Sequence, residues 1–243
     1  MVTISIALVQ FDAVPEKKER NLEQIMSITK HASSLGARWI VFHENSICDC
    51  TSKVAELAEP VPNGMCTRKV SEMSRSLNCY VSFGLIEKSG ERHYISQVFV
   101  GPDGYFYYYR KTWLCRDPKN VGYRNEWVYF DPGTGPELFE MDGLKATCFI
   151  CADGEAPRCI ERAAKLTPQI VFYPNNRATL PRFGVFGKRA GTINAPMLVT
   201  NRVGFSWDDR CMGGCVVYSV KGEVLAKANR ESKEEILTYN LEI

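Results

Sequence analysis

The run Lys145–Arg158 changes from a strand pattern to a helix pattern within a few residues. Residues Thr147–Ile150 favour a buried strand because they are β-branched, apolar or aromatic, whereas Asp153–Gly154 does not continue one. Pro157 suits the first position of a helix, and apolar residues then recur at helical spacing. We therefore predict that Cys151 lies on a turn between a strand and a helix.

Such a turn lifts a side chain out of the sheet and places the backbone N–H groups that follow it where they can stabilise an oxyanion. The alternative for Cys151 is an inert buried thiol, the common state of a free cysteine. A thiol nucleophile also needs a proton acceptor. His31 lies in a predicted helix and His93 in a charged turn, so we look for a carboxylate at the end of another strand.

Composition restricts the class of protein. The chain has 243 residues, of which 45% are hydrophobic, so we expect one domain, residues 1–243, with a sizeable core. The net charge is +2 and the charged residues are dispersed, which argues against nucleic acid or a membrane surface as a partner. Without a signal-peptide pattern or a membrane-length apolar run, we expect a cytoplasmic protein that binds a small molecule.

Ten cysteines raise the question of disulfides and metals. Disulfide frameworks are typical of short secreted chains, so we expect free thiols here. Three close pairs occur, namely Cys48 and Cys50, Cys148 and Cys151, and Cys211 and Cys215. None is joined by a second motif at the spacing that zinc requires, so we expect no metal.

Strand and helix patterns alternate at first, and hairpin patterns follow. The predicted strands are Thr3–Gln10, Trp39–Phe42, Tyr80–Ile86, Ile95–Gly101, Tyr105–Arg110, Glu137–Met141, Lys145–Ile150, Ile170–Tyr173, Met197–Thr200, Gly213–Val220, Glu223–Ala228 and Glu235–Glu242. The predicted helices are Asn21–Leu35, Gly64–Leu77, one that begins at Pro157, and Lys188–Asn194. This order predicts an α/β fold with two β-rich layers and outer helices.

Charged residues stand at the ends of these strands. The apolar run Trp39–Phe42 is typical of a strand buried on both faces, and Glu44 follows it. Lys111 ends the second strand of a hairpin, and Glu126 lies in a long strand-poor segment of the kind that is often functional. Ligands of open α/β sheets bind at strand carboxyl ends. Single surface charges are ordinary, but the shared placement of Glu44, Lys111 and Cys151 makes them a candidate catalytic set.

With these residues in place, the sequence resembles the nitrilase, or carbon–nitrogen hydrolase, superfamily over nearly its whole length. The matching segments are Ala7–Gln10, Asn21–Leu22, Val41–Glu44, Tyr109–Lys111, Glu126 ahead of Pro132–Gly133, Ile150–Asp153 with Pro157, Arg189–Ala190 with Asn194, Asn201–Gly204, Gly213–Gly214 and Gly222–Leu225. No single segment is decisive, but their order and spacing together are specific.

The resemblance implies an αββα sandwich of two mixed sheets with outer helices, a homodimer or higher homo-oligomer formed through the helical layer, and no cofactor. It also implies roles. Glu44 matches the general base, Lys111 the cationic stabiliser and Cys151 the nucleophile. Glu126 matches a second glutamate that supports the lysine and the substrate, and the Ala152 backbone N–H would share the oxyanion with the lysine.

The chain departs from the family pattern in two places. His43 stands where the family usually has proline, and Ala156 and Arg158 replace a bulky residue and a glutamate. Arg158 would add a cation near the pocket and either pair with a surface acid or favour a substrate that carries a carboxylate. The Cys-x-Asp-Gly pattern at Cys151 is similar to the amidase and formamidase branches, whereas nitrilases usually have Trp-Glu there. Hydrolysis of a small amide or ureido (N-carbamoyl) compound is therefore preferred.

Several other residues are candidates for the pocket lining, although they equally fit core or turn positions. They are Trp113, Tyr123, Trp127, Tyr173, Asn175, Asn176 and Arg177, and we assign substrate binding to Trp113, Asn175, Asn176 and Arg177 together with Ala152. Four alternatives stay open: a Cys–His hydrolase that uses His43, nitrile hydrolysis or acyl transfer by the same triad, and a non-catalytic binding protein. The first is disfavoured because neighbouring residues on a strand face opposite ways.

Overall fold

A computed structural model describes residues 2–116, 125–229 and 231–243. Its strands are β1 (Thr3–Gln10), β2 (Trp39–Val41), β3 (Tyr80–Ser89), β4 (Arg92–Gly101), β5 (Gly104–Arg110), β6 (Phe139–Met141), β7 (Leu144–Cys148), β8 (Ile170–Pro174), β9 (Met197–Thr200), β10 (Val203–Ser206), β11 (Asp209–Met212), β12 (Val216–Tyr218), β13 (Val224–Lys227) and β14 (Glu235–Glu242). Its helices are α1 (Lys18–Ser34), α2 (Val54–Leu57), α3 (Met65–Leu77), α4 (Glu126–Tyr129), α5 (Pro157–Lys165) and α6 (Phe183–Ile193).

Two six-stranded mixed sheets form the centre of the fold. The first has the order β14-β1-β2-β3-β4-β5, and the second has the order β13-β12-β9-β8-β7-β6. Each contains three neighbouring parallel strands, β1-β2-β3 in one and β7-β8-β9 in the other, with antiparallel strands on both sides. The predicted α/β fold with two mixed sheets is confirmed.

Aromatic side chains join the two sheets. The ring of Phe99 in β4 lies 5.2 Å from that of Phe172 in β8 and 4.8 Å from that of Phe139 in β6. Trp39 of β2 lies 5.9 Å from Phe172. Large rings bury much apolar area, and every residue of β8 is buried. The main core therefore lies between the sheets.

Helices cover the outer faces. α3 packs on β4 and β5 and contacts α1, whereas α5 and α6 pack against each other, and the ring of Phe186 in α6 lies 5.0 Å from that of Tyr173 in β8. The buried side chains Cys66, Val70 and Met73 of α3 recur at helical spacing, so one stripe of the helix faces the sheet. Within the described ranges, no helix combines the length and hydropathy needed to cross a bilayer.

The elements differ from the predicted ones where local signals are weak. α6 begins at Phe183 rather than Lys188, because Gly184 and Gly187 dilute the helical pattern. The hairpin of β10 and β11 was not predicted. Its turn contains Trp207 with a φ of 54°, a position where hairpins usually have glycine or asparagine. The sequence pattern that indicates a hairpin is therefore missing here.

The segment that carries Glu44 lies directly against β3. A Cβ added to Gly84 would stand 2.2 Å from the backbone nitrogen of Asn45 and 2.8 Å from the carbonyl carbon of Glu44. The N–H of Ile47 also donates to the carbonyl oxygen of Gly84 at 3.0 Å. Glycine at this position lets the turn after β2 approach the strand closely and fixes where Glu44 emerges.

We expect Gly84→Ala to lower the free energy of unfolding by about 1–3 kcal/mol because the added methyl overpacks a rigid backbone contact. It should also displace Glu44 and reduce any activity that depends on it. Gly184→Ala is the matched control, since an added Cβ there meets no atom within 4 Å. Urea unfolding of both variants checks this, and equal stabilities would contradict the packing argument.

Candidate active site

Lys111 stands between two carboxylates. Its Nζ lies 2.7 Å from Oε1 of Glu44 and 2.7 Å from Oε1 of Glu126. The three side chains come from separate segments: the turn after β2, the residue after β5 and the first residue of α4. Their exposures are 1% for Lys111, 2% for Glu44 and 8% for Glu126, so the ion pairs are shielded from water.

The backbone around this group is held on both sides. The N–H of Lys111 donates to the carbonyl oxygen of Ile95 at 2.8 Å, and the Lys111 carbonyl accepts from the N–H of Gly133 at 2.8 Å. The second carboxylate oxygen of Glu126 accepts from the N–H of Cys115 at 2.7 Å. Both ends of the Lys111–Glu126 pair are therefore fixed.

The cluster carries more negative than positive charge. Burial acts to lower the pKa of Lys111, but Glu126 and Glu44 outweigh it and hold that pKa well above its usual value. Burial raises the pKa of Glu126, and the Glu44 carboxylate raises it further against the opposing effect of Lys111. The lysine is thus a permanent cation flanked by two acids.

Cys151 opens a tight 3₁₀ turn, Cys151–Glu155, between β7 and α5. Its φ of 44° is in the left-handed region, which is uncommon for a residue with a side chain and is typical of strained functional turns. Asp153 holds the turn. Its carboxylate accepts from the N–H groups of Ile150 at 2.8 Å and Thr112 at 3.0 Å, and from the Tyr109 hydroxyl at 2.8 Å.

The carbonyl oxygen of Cys151 is held as well. It accepts from the Tyr173 hydroxyl at 2.8 Å and from Nη2 of Arg177 at 3.1 Å. The Tyr173 hydroxyl in turn accepts from Nη1 of Arg189 at 3.0 Å. Because a left-handed residue returns to a relaxed conformation unless its surroundings prevent it, these bonds maintain the geometry of Cys151.

The sulfur of Cys151 rests as a thiol. Burial raises its pKa, and the nearby Glu44 carboxylate raises it further, whereas Arg177 and Lys111 act in the opposite direction. Glu44 and Lys111 are thus both close enough to influence the sulfur. A neutral thiol becomes a nucleophile only if a base removes its proton.

His43 has a different environment from Glu44. Its ring is fully buried, lies 5.7 Å from the ring of Phe11, and has Nδ1 2.8 Å from the carbonyl oxygen of Glu44. Burial, and next the charge of Arg202, lowers the pKa of His43 to about 3, so the ring is neutral. Glu44 and not His43 bonds to Lys111, which favours the glutamate over the histidine as the base.

The sequence also matches a known protein family. Residues 5–243 match the profile of the carbon–nitrogen hydrolase family. The chain belongs to that family.

Relatives of this hydrolase include both nitrilases and amidases. A nitrilase of Pyrococcus abyssi (strain GE5 / Orsay) is 27% identical over 243 residues, covering 96% of this chain and 87% of the relative. An (R)-stereoselective amidase of a Pseudomonas species is 26% identical over 197 residues, covering 79% of this chain and 68% of the relative.

A solved structure shares the fold. It is a cysteine-to-alanine mutant of the Nesterenkonia AN1 amidase from the nitrilase superfamily, with a TM-score of 0.85, 21% identity, and coverage of 98% of this chain and 90% of that one. A glutamate-to-glutamine mutant of the same amidase, with a TM-score of 0.84, shows covalent addition of the acetamide moiety of fluoroacetamide at the active-site cysteine.

The other predicted residues of this hydrolase differ in placement. Asn175 is buried, and both polar atoms of its side-chain amide are hydrogen-bonded. Its Nδ2 donates to the Tyr173 carbonyl at 2.8 Å, and its Oδ1 accepts from Nε of Arg177 at 3.0 Å. Asn176 donates to Asp49 at 2.7 Å. Trp113 is 51% exposed beside the turn that Asp153 holds. Their roles toward substrate stay predictions.

Several further candidates lie outside the cluster. Arg158 is exposed on α5, and Trp127, 43% exposed, donates from Nε1 to the Leu114 carbonyl at 2.8 Å. Tyr123 lies outside the described residues. All ten cysteines are free thiols, and no group of three or more His, Cys, Asp or Glu side chains within the described ranges is arranged to hold a metal ion.

Sequence reasoning missed the residues that hold the turn. The bonds of Asp153 to Tyr109 and Thr112, and the ion pair of Glu155 with Arg177, join residues far apart along the chain, so no local pattern marks them. One signal was present. An acid two residues after the candidate nucleophile, at the start of a turn, is a common acceptor for backbone N–H groups.

We expect Tyr173→Phe to lower kcat roughly 10-fold with KM unchanged, because it removes one hydrogen bond that holds the Cys151 carbonyl. Tyr218→Phe is the matched control. Its hydroxyl donates to the Phe183 carbonyl at 2.9 Å, so it loses a similar bond elsewhere. Steady-state kinetics and thermal unfolding of both variants check this. An equal fall in kcat in the two variants would show that the Tyr173 hydrogen bond supports the fold in general and has no specific effect on the Cys151 turn.

Burial raises the pKa of Asp153 to about 6, against the hydrogen bonds from Ile150 and Trp113 and from Tyr109 that lower it. We expect kcat/KM to fall as the pH drops through that value, because a protonated Asp153 holds the turn less well. A raised carboxyl pKa makes the native state bind more protons than the unfolded chain, so this group does not promote acid unfolding.

The check is a pH profile of kcat/KM for the wild type and for Asp153→Asn, which cannot titrate. The variant should be less active at neutral pH and should lack the limb near pH 6. A limb that persists unchanged in the variant would assign it to a different group.

Proposed function

We propose that this protein hydrolyses a non-peptide C–N bond of a small amide or N-carbamoyl compound through a thioester on Cys151, with release of ammonia or an amine. The observation that carries the proposal is the buried Lys111, which lies 2.7 Å from Glu44 and 2.7 Å from Glu126, with the Cys151 sulfur in the same electrostatic environment. A thiol, an acid and a fixed cation are the groups that acyl transfer requires.

In the first half of the proposed reaction, Glu44 accepts the thiol proton while the sulfur of Cys151 bonds to the amide carbon. The carbonyl oxygen becomes an oxyanion, which the Lys111 ammonium and the Ala152 N–H stabilise. Glu44 then gives its proton to the leaving nitrogen as the C–N bond breaks. Ammonia or an amine departs and a thioester remains.

In the second half, Glu44 accepts a proton from water as the water oxygen attacks the thioester carbon. The C–S bond breaks, the acid leaves, and the proton returns to the sulfur. Glu126 keeps Lys111 charged and in place in both halves. The resting thiol supports this scheme, because it makes a neighbouring base necessary.

The relatives support the choice of reaction class. The glutamate-to-glutamine mutant of the Nesterenkonia amidase carries the acetamide moiety of fluoroacetamide covalently at its active-site cysteine, so the sulfur of that amidase is nucleophilic, and the Pseudomonas relative is an amidase. We extend to this chain the idea that the cysteine of the site, Cys151, is the nucleophile. The single domain, the homo-oligomer and the cytoplasmic location expected from the sequence stay predictions.

Nitrile hydrolysis is the second candidate, because the Pyrococcus abyssi relative is a nitrilase. The same sulfur would add to a nitrile carbon. The Ala152–Asp153 pair after the nucleophile instead of Trp-Glu favours an amide. An ammonia-release screen with arms of simple amides, N-carbamoyl amino acids and nitriles separates the two, and added hydroxylamine detects acyl transfer.

We expect Cys151→Ala to lose at least about 10³-fold in ammonia release, since it removes the nucleophile. Glu44→Gln should lose about 10²- to 10⁴-fold because the amide cannot accept the thiol proton. Cys148→Ala is the matched control, as this buried thiol lies in β7 ahead of the turn. Intact-protein mass spectrometry should detect an acyl adduct that is absent from Cys151→Ala. Ammonia release that survives this substitution contradicts the assignment.

A further inference from the structure

A second charged cluster adjoins the Cys151 turn and has the opposite sign from the first. Glu155 forms ion pairs with Arg177 at 3.0 Å, with Arg182 at 3.0 Å and with Arg189 at 2.9 Å. One carboxylate therefore faces three guanidinium groups. Among the described residues, none of the three arginines forms a salt bridge with any other acid.

Arg177 is the member of this cluster that reaches the reacting turn. Its Nη2 donates to the Cys151 carbonyl at 3.1 Å and its Nε to Oδ1 of Asn175 at 3.0 Å. Two of its three nitrogens are thereby fixed. Within the described parts of the chain, no acceptor is bonded to Nη1, and the side chain is 21% exposed. A planar guanidinium held in this way presents one pre-oriented pair of donors.

The charges on the two sides of Cys151 define how a substrate that carries a charge would be oriented in the site. In the buried group of Glu44, Glu126 and Lys111 two acids face one base, which disfavours a permanently anionic substrate group next to them. The Arg177 side has excess positive charge and access to solvent. Arginine binds carboxylates through charge-assisted hydrogen bonds.

We infer that the substrate is an amide or ureido compound that carries a carboxylate a few bonds from the scissile carbonyl, and that Arg177 binds this carboxylate through Nη1. The inference rests on the proposed function and narrows it to a substrate class. Arg158, which the sequence suggested for this role, is exposed on α5, whereas Arg177 contacts the nucleophile's own backbone.

The test compares succinamate with 4-oxopentanamide, a neutral amide of nearly the same shape. The wild type should prefer succinamate, and Arg177→Gln should reduce the ratio of the two kcat/KM values about 10- to 100-fold, as expected for a lost hydrogen bond to a charged group. Arg177 also holds the Cys151 carbonyl, so both substrates should slow down. Only the ratio reports on carboxylate binding.

Arg182→Gln is the matched control, because Arg182 pairs with the same Glu155 but is 65% exposed on the outer side of the cluster. Its ratio should equal that of the wild type. Arg177→Lys keeps the charge without the planar fork and should retain part of the preference. Thermal unfolding shows that each variant is folded.

The outcomes separate the two proposals. Cys151-dependent hydrolysis of both amides with no preference for succinamate, or a ratio unchanged in Arg177→Gln, overturns the carboxylate inference and leaves the proposed function standing. A folded wild type that releases ammonia neither from these two amides nor from any amide or N-carbamoyl compound of the screen described above overturns the proposed function, and the inference falls with it.

Discussion

The site depends on the two ion pairs that the ammonium group of Lys111 forms. A buried charge is stabilising only when partners replace the water it has lost, and here two carboxylates at 2.7 Å do so. Those carboxylates belong to the turn after β2 and to α4, and the lysine follows β5. Three segments that are distant in the sequence must therefore lie close together. Removal of any one of the three charges leaves the others buried and unbalanced, which couples stability to the integrity of the site.

Burial and the neighbouring Glu44 carboxylate together set the state of the sulfur. A thiolate in this site would be a further buried anion beside that acid. Cys151 is therefore protonated at rest despite the opposing charges of Arg177 and Lys111.

The sequence predicted the parts of this arrangement that local patterns determine. The apolar run before Glu44, the hairpin before Lys111 and the break at Cys151 mark strand ends, and the structure has strands ending beside each of these residues. What it did not predict depends on contacts between distant segments. The bonds of Asp153 to Tyr109 and Thr112 join the turn after β7 to the end of β5 in the other sheet, and Glu155 pairs with three arginines of the segment from β8 to α6.

The two charged clusters are not independent of the backbone between them. Arg177 and Tyr173 bind the carbonyl of Cys151, while Asp153 binds the N–H of Ile150 and the segment that follows Lys111. The left-handed turn is thus the element that links a buried negative site to a half-exposed positive one. A ligand with a neutral amide at one end and an anionic group at the other would bridge the two clusters. Under the proposed function, specificity and nucleophile geometry depend on the same few bonds, so a change of preferred substrate through Arg177 would also alter the rate of the chemical step.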